Sequence, residues 1–255
     1  MQVTARIAPL VDFLFPPRCP LCGAAIAAHG ALCSDCWQTL AMPGAPACSS
    51  CQRPFTAASH GTGATVCAPC LARPPRHDGI AAATLYNDAS RRLILAFKRG
   101  GRIALAPLLA RMMLARLGQV DPDWTIVPVP LHRWRLWRRG FNQSALLGGE
   151  IARRTGARLA VDALLRIRAT PGLGGLGRSQ RARALKGSIR INPRCQQHLR
   201  GRKVVLVDDV LTSGATSDAC VRVLKRAGVQ QVVVACFARV LDEALPPGEA
   251  LPQPG

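Results

Sequence analysis

VVLVDDVLTSGAT, residues 204–216, is the stretch around which the rest of the chain is organised. Its first four residues are aliphatic, and a continuous apolar run of this kind is typical of a strand buried on both faces of a parallel sheet. Two adjacent carboxylates, Asp208 and Asp209, follow the run, and two more apolar residues lead into a loop of small and hydroxyl-bearing residues. A helical pattern begins after the loop, and Gly228 is its expected C-terminal stop. The stretch therefore predicts a strand, an acidic pair, a loop and a helix in that order.

The loop, residues 212–216, has the properties of an anion site. In open α/β sheets, ligands bind at the carboxyl ends of the strands. Backbone N–H groups of small residues can approach an anion closely, and the positive end of the following helix favours negative charge. Asp208 and Asp209 repel a phosphate, so they suit sugar hydroxyls or a hydrated Mg²⁺ instead. The pattern predicts a phosphorylated pentose as ligand; the alternative is an ordinary buried strand followed by a polar turn.

These thirteen residues resemble the 5-phosphoribosyl-1-pyrophosphate (PRPP) signature of type I phosphoribosyltransferases at every position. The resemblance implies that Asp208 and Asp209 contact the ribose 2′- and 3′-hydroxyls. It also implies that the 5′-phosphate is held by Thr212, Ser213, Gly214, Ala215 and Thr216. In a transferase the two carboxylates would be catalytic residues that stabilise the ribose cation, with Mg²⁺ bridging the oxygens of the leaving pyrophosphate. No residue of the sequence identifies a nucleobase acceptor.

Composition points to a polyanionic partner. The chain has 255 residues, 49% of them apolar, so it can bury a sizeable core. Its net charge is +20, with 30 Arg against 4 Lys and only 14 Asp and Glu together. A GC-rich coding bias explains the preference for Arg over Lys, but it does not explain the shortage of acids. We therefore expect contact with nucleic acid.

The N-terminal stretch predicts neither export nor a membrane anchor. No apolar run approaches the length needed to span a bilayer. Residues 1–15 lack a small-residue cleavage site, so we expect no secretory signal. We expect instead a short amphipathic helix within residues 3–14, ended by Pro16 and Pro17. A cytoplasmic setting with reduced thiols follows.

Eight of the eleven cysteines form four CxxC pairs before position 71. Two residues between thiolates let both sulfurs point at one metal ion, and four pairs give two Cys₄ sites, for which Zn²⁺ is the expected ion in the cytoplasm. The sequential assignment groups Cys19, Cys22, Cys33 and Cys36 in one site and Cys48, Cys51, Cys67 and Cys70 in the other. Interleaved pairing and an iron–sulfur cluster remain open, whereas disulfides would need an oxidising compartment.

The two zinc ions are predicted to be structural. The cysteine-rich segment is small and poor in large apolar residues, so metal binding should supply its folding energy. All four positions on each ion are filled by thiolates, which leaves none open for catalysis. His29, His60 and His77 are expected to be solvated loop residues rather than ligands.

After a proline-rich linker near residues 71–78, the pattern changes to alternating strands and helices. We predict a strand over 79–86, helices over 88–97 and 104–117, and strands over 124–130 and 231–237. Between the two helices, Lys98 and Arg99 precede a glycine pair in the turn FKRGGR. This turn is a candidate contact for pyrophosphate or nucleic acid; a solvated turn is the alternative.

Residues 131–143, LHRWRLWRRGFNQ, mix cations with aromatic side chains. The nucleic-acid candidates among them are Arg133, Arg135, Arg138, Arg139, Trp134 and Trp137. Arginine next to exposed aromatic rings is the composition that follows a phosphate backbone and stacks bases. Two alternatives stand beside this interpretation: the tryptophans pack in the core and the arginines are solvated, or Arg138 and Arg139 face the pyrophosphate of the ligand.

Taken together, the CxxC pairs, the FKRGGR turn, RRGFNQ and the PRPP signature resemble the ComF competence-protein family over nearly all of the chain. The resemblance implies an α/β fold: a type I phosphoribosyltransferase-like parallel sheet flanked by helices, with a small cysteine-rich zinc-ribbon domain at the N-terminus. We predict an N-terminal helix in 1–18, the double zinc-binding domain in 19–75, the phosphoribosyltransferase-like domain in 76–242 and a disordered tail in 243–255.

The resemblance implies binding of PRPP and single-stranded DNA, and support of DNA uptake in natural transformation alongside the proteins of the uptake machinery. An active phosphoribosyltransferase of nucleotide salvage and a non-catalytic PRPP-sensing regulator are the alternatives. One departure from the family motif RxRxTxxQxxLxRxxRxxNL bears on catalysis, because Leu173 replaces its Gln and Ala184 its Asn. The glycine-rich segment 170–177, expected to be a mobile loop that closes over pyrophosphate, thereby loses a polar side chain.

Overall fold

The structure is a computed structural model, and it describes residues 15–55, 65–99, 102–169 and 178–241. The cysteine-rich segment contains two short helices, α1 (Ser34–Gln38) and α2 (Ala68–Ala72). The remaining helices are α3 (Asp88–Arg99), α4 (Ala106–Leu117), α5 (Arg133–Arg139), α6 (Gln143–Thr155), α7 (Arg178–Leu185), α8 (Pro193–Leu199) and α9 (Ala215–Arg226). The strands are β1 (Gly79–Leu85), β2 (Trp124–Pro128), β3 (Arg158–Leu159), β4 (Leu164–Arg166), β5 (Ile189–Ile191), β6 (Lys203–Leu211) and β7 (Gln231–Arg239). The predicted N-terminal helix, His60, the 170–177 loop and the 243–255 tail lie outside the described residues.

A five-stranded parallel sheet of order β1-β7-β6-β2-β3 forms the centre of the fold, and β4 and β5 pair separately as an antiparallel hairpin. β6 is the middle strand, and all four residues of its aliphatic run are inaccessible to solvent. Val205 and Val207 pack into the core on the side of α3, α4 and α6, whereas Val204 and Leu206 pack on the side of α9. The predicted parallel sheet flanked by helices is confirmed. The aliphatic run is continuous because a strand that is covered on both faces has no face exposed to water.

β6 is longer than predicted and includes the acidic pair. It continues to Leu211 because β7 runs beside it over the same length, with Asp208 opposite Cys236 and Leu211 opposite Arg239. The turn that follows is correspondingly short. Gly214 adopts a left-handed conformation, with φ 76°, immediately before α9 begins at Ala215. Thr216 therefore lies in the first turn of the helix rather than in the loop.

The cysteine-rich segment packs over the edge strand β1 on both faces of the sheet. Cys19 joins the core formed with α3 and α4, while Cys48 and Cys51 join the core on the other face. The backbone N–H of Ala82 in β1 donates to the Gln52 side-chain oxygen at 2.9 Å, and the N–H of Leu85 donates to the Ala41 carbonyl at 2.7 Å. Two of the amide groups of an edge strand, which otherwise invite pairing with another chain, are thereby satisfied.

Within the described part of the chain, no helix is both long and apolar enough to cross a membrane.

Candidate functional site

A pocket opens at the carboxyl ends of β2 and β6, where the parallel-sheet rule locates ligand sites. Its floor comes from β6, Asp208 to Leu211, and from the turn and first helical residues that follow, Thr212 to Ser217. Its other walls are formed by the loop after β2 and by side chains from α3, α5, α6 and β4: Lys98, Arg135, Arg139, Gln143, Ser144 and Arg166. All of the predicted 5′-phosphate loop and both carboxylates thus line one cavity.

The two carboxylates have separate partners. The Oδ2 of Asp209 lies 2.9 Å from the Nζ of Lys98, and both side chains are almost completely buried. The Oδ1 of Asp208 accepts a hydrogen bond from the Asp209 backbone N–H at 2.9 Å and one from the Ser144 hydroxyl at 3.3 Å. Burial, together with the neighbouring charge of Asp209, raises the pKa of Asp208 to about 7, and Lys98 opposes that rise. The positive charge of Lys98 therefore offsets the repulsion between the two neighbouring carboxylates.

A cluster of arginines lines the same pocket as the carboxylates, with Arg135 and Arg139 from α5 and Arg166 from β4. Burial lowers the pKa of Arg166, and the positive charge of Arg135 lowers it further. Burial likewise lowers the pKa of Arg135, with a contribution from Arg138. Guanidinium groups that share a partly buried space are stabilised by a bound anion, since charge-assisted hydrogen bonds then replace their mutual repulsion.

The helical phase of α5 decides which arginines reach the pocket. Arg135 and Arg139 are four residues apart and line it, whereas Arg133 and Arg138 are exposed and do not. Of the pair expected to face pyrophosphate, Arg139 lies in the pocket and Arg138 does not. Trp134 and Trp137 are 64% and 78% exposed, so the alternative in which they pack in the core is wrong.

The RRGFNQ motif forms the joint between α5 and α6. Gly140 ends α5 in a left-handed conformation with φ 79°. Asn142 caps α6: its Oδ1 accepts from the Ser144 N–H at 3.0 Å, and its Nδ2 donates to the Val129 carbonyl at 3.1 Å. Phe141 packs against Phe97 of α3, with ring centroids 6.4 Å apart. The motif therefore fixes the position of α6 relative to β2 and α3.

Gln143, the last residue of that motif, was missed as a site residue. Its Oε1 accepts a hydrogen bond from the Nη1 of Arg139 at 2.6 Å, which orients the amide nitrogen away from Arg139. The side chain lines the pocket and is only 2% exposed, and its Nε2 has no hydrogen-bond partner among the described residues. Ser144 and Arg166 were missed too; Gln143 and Arg166 both belong to motifs in the sequence, which was the available signal.

Two predicted site features cannot be located. The side chain of Arg99 and the glycines that follow it lie outside the described residues, so of the two cations predicted as contacts in the FKRGGR turn only Lys98 has a defined side-chain position. Leu173 lies outside the described residues as well. Ala184 packs with Leu185 against Ala215 and Ala219 of α9, so a small residue there fits close to the helix that begins beside the pocket.

The eight paired cysteines form two groups of four, and the sequential assignment is confirmed. Within each group the four sulfur atoms lie within 4.8 Å of one another. The Cys22 and Cys33 sulfurs are 3.6 Å apart, and the Cys51 and Cys67 sulfurs are 3.5 Å apart. Tetrahedral Zn²⁺ with Zn–S bonds of about 2.3 Å separates its sulfur ligands by about 3.8 Å, so both groups fit structural zinc.

Among the residues that the structure describes, no histidine joins these groups. His29 is exposed, as expected. His77 is a loop residue outside both groups, as expected, but it is half-buried rather than solvated, and burial lowers its pKa. It lies two residues before β1, and its burial is not evident from residue spacing.

Comparison with known proteins agrees with both halves of the chain. Residues 10–71 match the family described as Double zinc ribbon domain, and residues 143–249 match the Phosphoribosyl transferase domain. The chain is 34% identical to the DNA utilization protein YhgH of Escherichia coli O6:H1, over 89% of this chain and 98% of that protein. It is 29% identical to Competence protein F of Haemophilus influenzae, over 83% of this chain and 92% of that protein.

A crystal structure of the Thermus thermophilus protein TT1426 is 21% identical and covers 57% of this chain and 86% of that one, with a TM-score of 0.32. The sequence relatives decide the matter, since the match to the first of them extends over 89% of this chain at 34% identity. The chain belongs to the ComF-type competence protein family, with a double zinc ribbon followed by a phosphoribosyltransferase domain.

Proposed function

We propose that the protein binds PRPP in the pocket at the end of β6 and single-stranded DNA on the outer face of α5, and that it supports DNA uptake in natural transformation by doing both in the cytoplasm. The carrying observation is that one pocket combines two carboxylates, the turn that leads into α9 and three arginines. PRPP offers a partner for each: vicinal hydroxyls in the middle, a phosphate at one end and a pyrophosphate at the other.

The roles follow from charge. Asp208 and Asp209 accept hydrogen bonds from the ribose hydroxyls, and the turn after β6 with the N-terminus of α9 receives the 5′-phosphate. Arg135, Arg139 and Arg166 suit the pyrophosphate, because several guanidinium groups can each donate two hydrogen bonds to its oxygens. Mg²⁺ is expected with the ligand, since pyrophosphate and carboxylate oxygens are the ligands it prefers.

Isothermal titration with Mg²⁺–PRPP tests the pocket. A double variant, Asp208→Asn with Asp209→Asn, should weaken binding at least about tenfold, because hydrogen bonds to charged groups contribute about 1.5–3 kcal/mol each. Asp123→Asn is the matched control: its carboxylate is exposed, precedes β2 at the end of the strand opposite the pocket, and meets Arg202 only at 3.9 Å. Absence of PRPP binding to the zinc-loaded wild type, or equal affinity in the double variant, would disprove this part of the proposal.

The DNA part is supported by the outer face of α5. Trp134 and Trp137 project from it edge to face, with ring centroids 5.8 Å apart, and Arg133 and Arg138 are exposed beside them. The segment 158–203, which contributes Arg166 to the same pocket, has twelve Lys and Arg against a single Asp. Exposed aromatic rings next to excess positive charge suit a single strand, whose bases stack on the rings. Two relatives bear names that refer to DNA utilization and competence.

Anisotropy of a labelled oligothymidylate tests this surface. Trp134→Ala with Trp137→Ala should weaken binding by at least about tenfold, since stacking contributes about 1–3 kcal/mol per base. Arg138→Ala should flatten the salt dependence. Trp37→Ala is the control, because this residue is 46% exposed but lies on α1 in the zinc-binding segment. Unchanged affinity in the double tryptophan variant would contradict the assignment.

An active phosphoribosyltransferase of nucleotide salvage is the second candidate. The adjacent carboxylates favour it, because they would lie beside the ribose carbon at which positive charge develops. Purified protein with PRPP, Mg²⁺ and a panel of nucleobases should then release pyrophosphate in the presence of one of them. If PRPP binds but no nucleobase of the panel causes pyrophosphate release, the transferase function is contradicted and only the binding function is retained.

A further inference from the structure

Helix α5 carries two unlike surfaces on only seven residues. Its inner side contributes Arg135 and Arg139 to the pocket, and its outer side presents Trp134 and Trp137 to solvent. Neither tryptophan lines the pocket. A group bound inside and a strand bound outside would therefore contact the same short helix without contacting each other.

α5 lies between the pocket and the tryptophan surface, yet it packs only weakly against the rest of the protein. Within the described part of the chain, none of its residues is buried, and even Leu136 is 43% exposed. A helix of two turns is marginal without packing to support it. Polar contacts help to hold it: the His132 ring accepts a hydrogen bond from the Trp134 N–H at 3.4 Å, and Arg139 donates one to Gln143. Its position therefore depends on the charges around it.

Those charges change when an anion enters the pocket. Arg135 of α5 and Arg166 of the β4–β5 hairpin line the same pocket, and the positive charge of each repels the other. A pyrophosphate between them would turn that repulsion into attraction on both sides. The anion would draw α5 inward and hold its backbone, which also fixes the geometry of the tryptophan pair on its outer side.

We propose that α5 couples the two sites, so that PRPP raises the affinity of the Trp134–Trp137 surface for single-stranded DNA and DNA raises the affinity of the pocket for PRPP by the same factor. The inference rests on the proposed function, since it needs both ligands to bind. Its physical basis is shared ordering: whichever ligand binds first orders α5, and the second no longer bears that entropic cost. The two factors must be equal because binding linkage is reciprocal.

A competing effect has the opposite sign. PRPP brings negative charge near a surface that attracts a polyanion, and this alone would weaken DNA binding. Screening limits the effect at physiological salt, where the Debye length is about 8 Å. Coupling by ordering begins in the partly buried pocket, where salt screens charges much less than at the surface, so it should prevail at about 0.15 M salt.

The test measures both halves of the linkage on the zinc-loaded protein. Oligothymidylate affinity is determined by anisotropy with and without saturating Mg²⁺–PRPP, and PRPP affinity is determined by calorimetry with and without saturating oligothymidylate. We expect about five- to tenfold tightening in both, within the usual range of allosteric coupling. Mutual independence, or weakening in both directions as for two anions competing for one pocket, would overturn the coupling while leaving the two binding functions intact. Failure of either ligand to bind alone would instead disprove the proposed function.

Two further measurements separate coupling from general stabilisation. In protein labelled with 5-fluorotryptophan, PRPP alone should shift the ¹⁹F resonances of Trp134 and Trp137 and leave that of Trp37 unchanged. In the variant Trp134→Ala with Trp137→Ala, PRPP should still bind, but oligothymidylate should no longer alter its affinity. If PRPP leaves the resonances of α5 unchanged, ordering of this helix cannot be the means of coupling.

Discussion

Replacing Lys98 by Met tests how the pocket tolerates two adjacent carboxylates. The Lys98 side chain is 8% exposed and that of Asp209 is 12% exposed, with 2.9 Å between Nζ and Oδ2. Removing one partner of a buried pair costs about 3–5 kcal/mol, because the remaining charge is left uncompensated. For a chain of this size that corresponds to a fall in melting temperature of roughly 6–20 °C.

The double variant is the more informative one. In Asp209→Asn the ammonium of Lys98 still has Asp208 nearby, so we expect a smaller loss of about 1–2 kcal/mol. In Lys98→Met with Asp209→Asn both charges are gone, and replacing a buried pair by neutral groups is often close to neutral. The double-mutant cycle should therefore yield a coupling energy of about 4–7 kcal/mol in denaturant unfolding of the zinc-loaded protein near neutral pH.

A matched control lies on the surface of the same protein. Lys225 pairs with Asp78 at 2.6 Å, a shorter distance, but the two side chains are 30% and 38% exposed. An exposed pair contributes at most about 1 kcal/mol, since water screens it. If Lys225→Met destabilises the protein as much as Lys98→Met does, burial is not what gives the pocket pair its strength, and the reasoning is refuted.

Three other predictions concern the pocket and the metal sites. The raised pKa of Asp208 means that the native protein holds a proton that the unfolded chain releases, so this group makes stability fall as pH rises from about 4 to 7. Asp208→Asn should raise the free energy of unfolding at about pH 8 but not at about pH 4, and an equal effect at both would contradict the assignment. Gln143→Glu should weaken PRPP binding, measured by calorimetry, at least about tenfold, because a carboxylate replaces a buried amide donor facing an anion. Gln143→Leu only removes the donor, so its loss of affinity should be smaller. The reverse order of the two affinities would show that Gln143 contacts no anion. Cys48→Ser should lower the melting temperature more than Cys22→Ser, because Cys48 is part of the sheet core whereas Cys22 is exposed, and zinc content measured on both variants should fall from two ions to one.

The sequence by itself determined the elements whose signals are local. The aliphatic run of β6 predicts burial on both faces because no polar residue interrupts it, and both faces are covered. The cysteine pairs predict two four-sulfur sites because two intervening residues allow little other geometry, and the groups are those that sequence order suggests. The acidic pair and the loop behind it were identifiable for the same reason, although their contact with PRPP remains a prediction.

Only the tertiary structure decided which side chains meet. Lys98 reaches Asp209 because α3 packs beside the end of β6, and the Ser144 hydroxyl reaches Asp208 across 64 positions of sequence. Arg135 rather than Arg138 accompanies Arg139 because the phase of α5 is set by the way the chain leaves β2. A periodic pattern reports which face of an element is apolar, but the neighbour of that face depends on strand order, register and crossover, and these are settled by packing of the whole chain.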